Sequence, residues 1–273
     1  MHARIRISLD RIQEISFLVL GQLAVGGTLL LILPVLRTAG LSFYRTNGIV
    51  LLITFLLGLV IGGHSWPMML QTTPSLFALG FALTLFIYNL RLWFRHPHHS
   101  PATLIGASLL GNIGLILSIF SYIQTESSLR MFMIAIGSVA SNLLLGSGVL
   151  AMLLGHSYLT NPTLSIIPLR HFAQIFMGLA FIQGGLTMMN LMISFSSERI
   201  YNALMLNTFE GLYLWIRFAI GLVGPMILAP MILKTVEARA TMSATGLLYV
   251  AMLMVIIGAL FSHFFLLING SPL

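Results

Sequence analysis

The chain has 273 residues, 58% of them hydrophobic and only 7% charged, against about 25% charged in an ordinary soluble domain. A core of this size has no charged shell to solvate it, so the composition excludes a soluble globular enzyme. Its mean hydropathy of +1.01 reads instead as an all-α fold: one polytopic integral membrane helical bundle over residues 1–273. The net charge of +7 comes from 13 basic and 6 acidic residues. The basic ones stand singly between apolar runs, as helix-end anchors facing a lipid bilayer do, so no nucleic-acid partner is implied. Cysteine is absent, which excludes a cysteine-ligated iron–sulfur cluster, c-type haem attachment and internal disulfides.

Residues 1–13, charged and loosely amphipathic, read as a short interfacial segment. The first apolar run is too long for a signal-peptide core and lacks a small-residue cleavage pattern, so it reads as a retained helix. Eight spans follow. They cover 14–36, 48–66, 74–94, 102–123, 130–155, 169–195, 206–234 and 242–267, each near the 20 or so apolar residues a bilayer requires. Glycines punctuate several of them, among them Gly21, Gly26, Gly106, Gly111, Gly146 and Gly148, and small residues in a span permit close helix contact. The loops are short. By parity, Arg37, Arg45, Arg91, Arg95, Arg170, Lys234 and Arg239 share one side. Arg130 and Arg199 share the other with the arginines of the N-terminal tail. The basic excess places both termini outside, in a cell (inner) membrane.

One internal echo stands out. Gly63-His64-Ser65-Trp66 closes span two and Gly155-His156-Ser157-Tyr158 closes span five, each followed by a proline, Pro67 or Pro162. Spans one to three and four to six would then be an inverted repeat, an arrangement that secondary transporters use.

Chemistry is concentrated in span seven, LNTFEGLYLWIRFAIGLVGPMILAPMILK. It carries Glu210 and Arg217 two turns apart on one face, and prolines at 225 and 230 interrupt its backbone ladder. An ionised group inside a span costs at least about 2.5–3.5 kcal/mol, so it faces protein or water and has a partner. On span six Gln183, Thr187 and Asn190 follow at i, i+4, i+7 and share a face. Four histidines sort by parity, His64 and His263 toward the terminus-bearing side and His156 and His171 toward the other. A pair in each leaflet is the arrangement of a two-haem b relay, with these imidazoles ligating the haem iron. The loop histidines His96, His98 and His99 read as a solvated basic cluster. Asn190, Glu210, Arg217, His64 and His263 would converge in one half of the membrane. A quinone head group needs such a donor and proton acceptor in an apolar cleft.

Three functional readings follow. The first is a membrane subunit of a respiratory-type electron-transfer complex, a quinone-reactive or haem b-carrying oxidoreductase subunit. It would pass electrons to other membrane or peripheral subunits, with Glu210 and Arg217 at the reactive site. The second is a small-solute transporter or channel, from the repeat and the proline-broken span seven. The third is a structural or assembly subunit with no ligand of its own.

Overall fold

The computed structural model describes residues 2–62, 72–94, 100–123, 127–160, 164–195 and 198–269. Within them no strand occurs. The first six spans are α1 (His2–Leu30), α2 (Leu41–Ile61), α3 (Thr73–Phe94), α4 (Pro101–Tyr122), α5 (Ser128–Thr160) and α6 (Ile167–Ser194). After the short α7 (Glu198–Leu204), span seven is built from α8 (Glu210–Phe218), a π-helical turn over Ala219–Val223 and α9 (Gly224–Glu237). The eighth span is α10 (Thr241–Asn269). Among the described residues eight stretches are long and apolar enough to cross a membrane, the number read from the sequence. The chain is therefore a multi-pass helical membrane protein. An even number of spans puts His2 and Asn269 on one side, called here the terminus-bearing face.

Several boundaries differ from the sequence reading, each for a local reason. The backbone is helical from His2, so the charged N-terminal stretch runs straight into span one instead of lying apart. Span one ends at Leu30, not Leu36. Proline at 34 has no N–H to return to the Leu30 carbonyl, and the chain turns into a 3-10 helix over Pro34–Ala39. Span two starts at Leu41, seven positions before Gly48. Its polar first turns are helical because the protein supplies partners: Asn47 Nδ2 donates to the Phe43 carbonyl at 2.7 Å and Arg45 Nε to the Leu92 carbonyl at 3.1 Å. The predicted end of that span at Trp66 lies outside the described residues, as do His64, the rest of the Gly63–Pro67 echo and the His96–His99 loop. Span seven begins at Glu210 and not at Leu206, whose φ of 57° takes the backbone into the left-handed region and out of the helix.

The hub of the bundle is α1, which packs on α2, α4, α5 and α10. Its tightest contact is with α5. A Cβ at Gly26 would run into the Asn142 carbonyl, and one at Gly146 into the backbone of Gly26. Glycine at both positions lets the two backbones touch, which in lipid is a main source of helix association. The outer wall is apolar, with Val60, Leu83, Phe132, Ile182 and Met192 exposed where acyl chains would cover them.

Candidate functional site

A polar cluster sits inside the bundle, in the half next to the terminus-bearing face. Gln22 comes from α1, Ser138 and Ser141 from α5, Gln183, Thr187 and Asn190 from α6, Arg217 from α8, and Ser262 and His263 from α10. With Ile119, Ile134, Leu186 and Leu266 they surround a cavity of about 40 Å³. The helix periodicity of span six explains its share: the i, i+4, i+7 strip is buried as a unit. Thr187 Oγ1 donates to the Gln183 carbonyl at 2.9 Å, so its own hydroxyl is satisfied within the helix.

Gln22 organises one wall. Its Oε1 accepts from His263 Nε2 at 2.9 Å and from Ser141 Oγ at 3.2 Å, while its Nε2 donates to Ser138 Oγ at 3.4 Å. Because Oε1 can only accept, the His263 proton sits on Nε2. In the neutral ring Nδ1 then carries a lone pair, and that atom is buried without a partner.

Arg217 is part of the same lining. The residue is only 5% exposed, and its Nε is buried with no hydrogen-bond acceptor. Among the described residues the ion pair is Arg170–Glu237, so no described carboxylate neutralises Arg217. Space for the guanidinium is made by two glycines. A Cβ on Gly258 would lie 3.0 Å from Arg217 Nη1 and would also strike the Gly221 backbone, and one on Gly221 would lie 3.4 Å from Nη1. Gly221 is in the π-helical turn, directly after Arg217's own helix. Such turns insert an extra residue and are frequent at functional sites.

The structure thus brings together Asn190, Arg217 and His263 of the sequence-predicted set. Glu210 starts α8, and its side chain lies outside the described residues. His156 on α5 and His171 on α6 are both exposed, toward the other face, and His171 Nδ1 donates to the Ile167 carbonyl at 2.9 Å. Sequence reasoning missed Gln22, Ser138, Ser141 and the Gly221–Gly258 pair. The signal for Gln22 was present: an amide in the middle of an otherwise apolar span is costly unless it is hydrogen-bonded.

The residues around His263 do not fit a haem. Its Nε2 is engaged by Gln22, and the cavity is far below the roughly 300–1,000 Å³ of a cofactor pocket. Among the described residues no group of three or more His, Cys, Asp or Glu side chains could hold a metal ion. What the chamber can accept is a single oxygen-sized group. Among its lining residues, one donor, Arg217 Nε–H, and two acceptors, His263 Nδ1 and Gln183 Oε1, are buried without a partner. Compared with known proteins, the chain matches no family model, and neither a curated protein nor a solved structure is similar to it.

Proposed function

We propose that this chain is a quinone-reactive membrane subunit of an electron-transfer complex, and that the Arg217–His263 chamber receives one oxygen of the quinol head group. The observation that supports this is the inventory of unpartnered buried atoms. A phenolic hydroxyl both donates and accepts, so it satisfies Arg217 Nε–H and one of the two acceptors at once. A quinone carbonyl only accepts and meets the arginine alone. The oxygen enters the chamber while the ring and its tail stay outside in the apolar surroundings. Arg217 then stabilises negative charge as the hydroxyl gives up its proton, and His263 Nδ1 stands ready to take that proton. The second hydroxyl, outside the chamber, releases its proton to water at the membrane surface, and the two electrons leave to a partner subunit that carries a redox centre.

The test is binding of a tailed benzoquinol to the purified protein in lipid nanodiscs. Wild type should bind it saturably and more tightly than the oxidised benzoquinone. Arg217→Met should weaken binding about a hundredfold, since a hydrogen bond to a charged group contributes roughly 1.5–3 kcal/mol. Equal affinity of wild type and Arg217→Met would end this reading.

A further inference from the structure

The polar lining of the chamber extends over a range of depths. Along α6, Asn190 lies about 6 Å and Gln183 about 16 Å inside the end at Ser194, at 1.5 Å per residue. Along α1, Gln22 lies about 15 Å inside the start of its apolar span at Ile12, and along α5 Ser141 lies about 20 Å inside Ser128. The hydrocarbon core is about 30 Å thick, and α5, with 33 residues, is about 50 Å long and overhangs it, so these groups run from near the interface to the region of the midplane. Deeper still the character changes. Asn142 Nδ2 donates to Asn112 Oδ1 at 2.8 Å, and past that pair α5 buries Ser147, whose Oγ donates to its own helix's Leu144 carbonyl at 2.9 Å, and then Val149, Leu150, Ala151 and Leu154.

A cavity holds a water when it offers about 10–15 Å³ and two to four polar partners. At about 40 Å³, and lined by the polar side chains of Gln22, Ser138, Ser141, Thr187, Asn190 and Arg217, the chamber meets both conditions. An unsatisfied polar atom inside a membrane protein costs several kcal/mol, and three of the lining residues, Arg217, His263 and Gln183, each bury one, which adds to the drive to hydrate their surroundings. We infer that the chamber is the inner end of a hydrated half-channel, open to the terminus-bearing face and closed near the Asn112–Asn142 pair by the apolar packing beyond it. The Arg217 charge in its wall keeps metal cations out, so its occupants are water and hydrogen-bonding groups. Protons exchanged in the chamber then come from, and return to, one side of the membrane. This rests on the chamber's own side chains and holds whichever ligand oxygen the chamber receives.

The absence of cysteine provides a clean probe. Single thiols are placed by Ser141→Cys and Thr187→Cys in the lining and by Ala151→Cys beyond the closed end, each in protein reconstituted into lipid vesicles. The infrared S–H band of the one thiol is followed as H₂O is replaced by D₂O. Ser141→Cys and Thr187→Cys should exchange about a hundredfold faster than Ala151→Cys, the contrast between a wetted site and one that exchanges only through local opening. Ser141→Cys exchanging as slowly as Ala151→Cys would overturn the inference, because the chamber would be dry at the midplane. Fast exchange at Ala151→Cys would overturn it too, because water would then pass the proposed closed end. Should Ser141→Cys fail to fold, Ser138→Cys occupies the same wall. Benzoquinol binding by the wild type is scored separately. Its absence alongside fast exchange sinks the proposed function and leaves the half-channel, and the converse result does the opposite.

Discussion

Arg45 and Arg217 both sit within membrane helices, yet the protein treats them in opposite ways. Arg45 occupies the first turns of α2. Its Nε donates to the Leu92 carbonyl, and its guanidinium carbon lies 5.2 Å from the centre of the Trp93 ring, over its face. Every feature of that contact ties α2 to the last turn of α3. Arg217 is more deeply buried, and its Nε meets nothing. Two glycines on neighbouring elements have instead been cleared to house it. An arginine given a carbonyl and an indole has its desolvation offset within the fold, and it behaves as a staple. An arginine whose Nε meets no acceptor among the described residues has that cost left standing, which is tolerated where something from outside completes the site. This contrast separates structure from function here more sharply than burial or charge alone.

The contrast can be broken most severely at the glycines. Gly258→Leu should abolish the folded state. The added side chain would meet both the Gly221 backbone and Arg217 Nη1; overpacking typically costs about 1–3 kcal/mol, and here it falls on rigid backbone that cannot yield, at the upper end of that range or above it. Size-exclusion chromatography in mild detergent reads the outcome, and a monodisperse Gly258→Leu protein would show that the two elements do not pack as described.

Next in size is the dissociation between the two arginines. Arg217→Met should lower benzoquinol affinity about a hundredfold, roughly 2.7 kcal/mol. It should leave the thermal unfolding midpoint unchanged or raised, because a buried charge without a described counter-charge is removed. Arg45→Met should do the reverse. It loses a hydrogen bond and a cation–π contact, together about 1–2 kcal/mol of stability, with benzoquinol affinity unchanged. A stability loss at Arg217→Met larger than that at Arg45→Met would make Arg217 a staple too.

Which parts of this were legible in the sequence follows from how each part is encoded. The eight spans were, because hydropathy over some 20 residues is a local signal and needs no tertiary partner. Their ends were less so. Arg45 and Asn47 look like loop residues until the Leu92 and Phe43 carbonyls are seen to accept from them. For the site, Arg217, Asn190 and His263 announced themselves by being expensive in a span. The polar strip on span six followed from its 3.6-residue period. Gln22 did not stand out, because its role depends on α1 meeting α5 and α10, contacts 116 and 241 positions apart along the chain. The pairing of Gly221 with Gly258 was invisible for the same reason. The histidine pairs show the limit from the other direction: parity assigns a leaflet but says nothing of lateral position, His64 lies outside the described residues, and His263 Nε2 is hydrogen-bonded to the Gln22 amide.

A third arginine completes the series and carries the smallest expected effect. Arg170, near the start of α6, donates from Nη2 to Glu237 Oε1 at 2.9 Å, with both side chains substantially exposed, 53% and 42%. The pair joins span six to the end of span seven at the face opposite the chamber. Water and salt compete for both partners, and holding two long side chains in one geometry costs entropy. Exposed pairs of this kind contribute roughly 0–1 kcal/mol. Arg170→Ala should therefore shift the unfolding midpoint only slightly. The shift should vanish at high ionic strength, where a Debye length of about 3 Å at 1 M screens exposed charges. Benzoquinol binding should not change, because no atom of the pair reaches the cavity lining. A loss of stability larger than that of Arg45→Met, persisting in high salt, would mean that the pair clamps the far end of span seven. The order inferred here, in which an arginine's weight follows how far its charge is removed from water and what meets it there, would then not hold for this bundle.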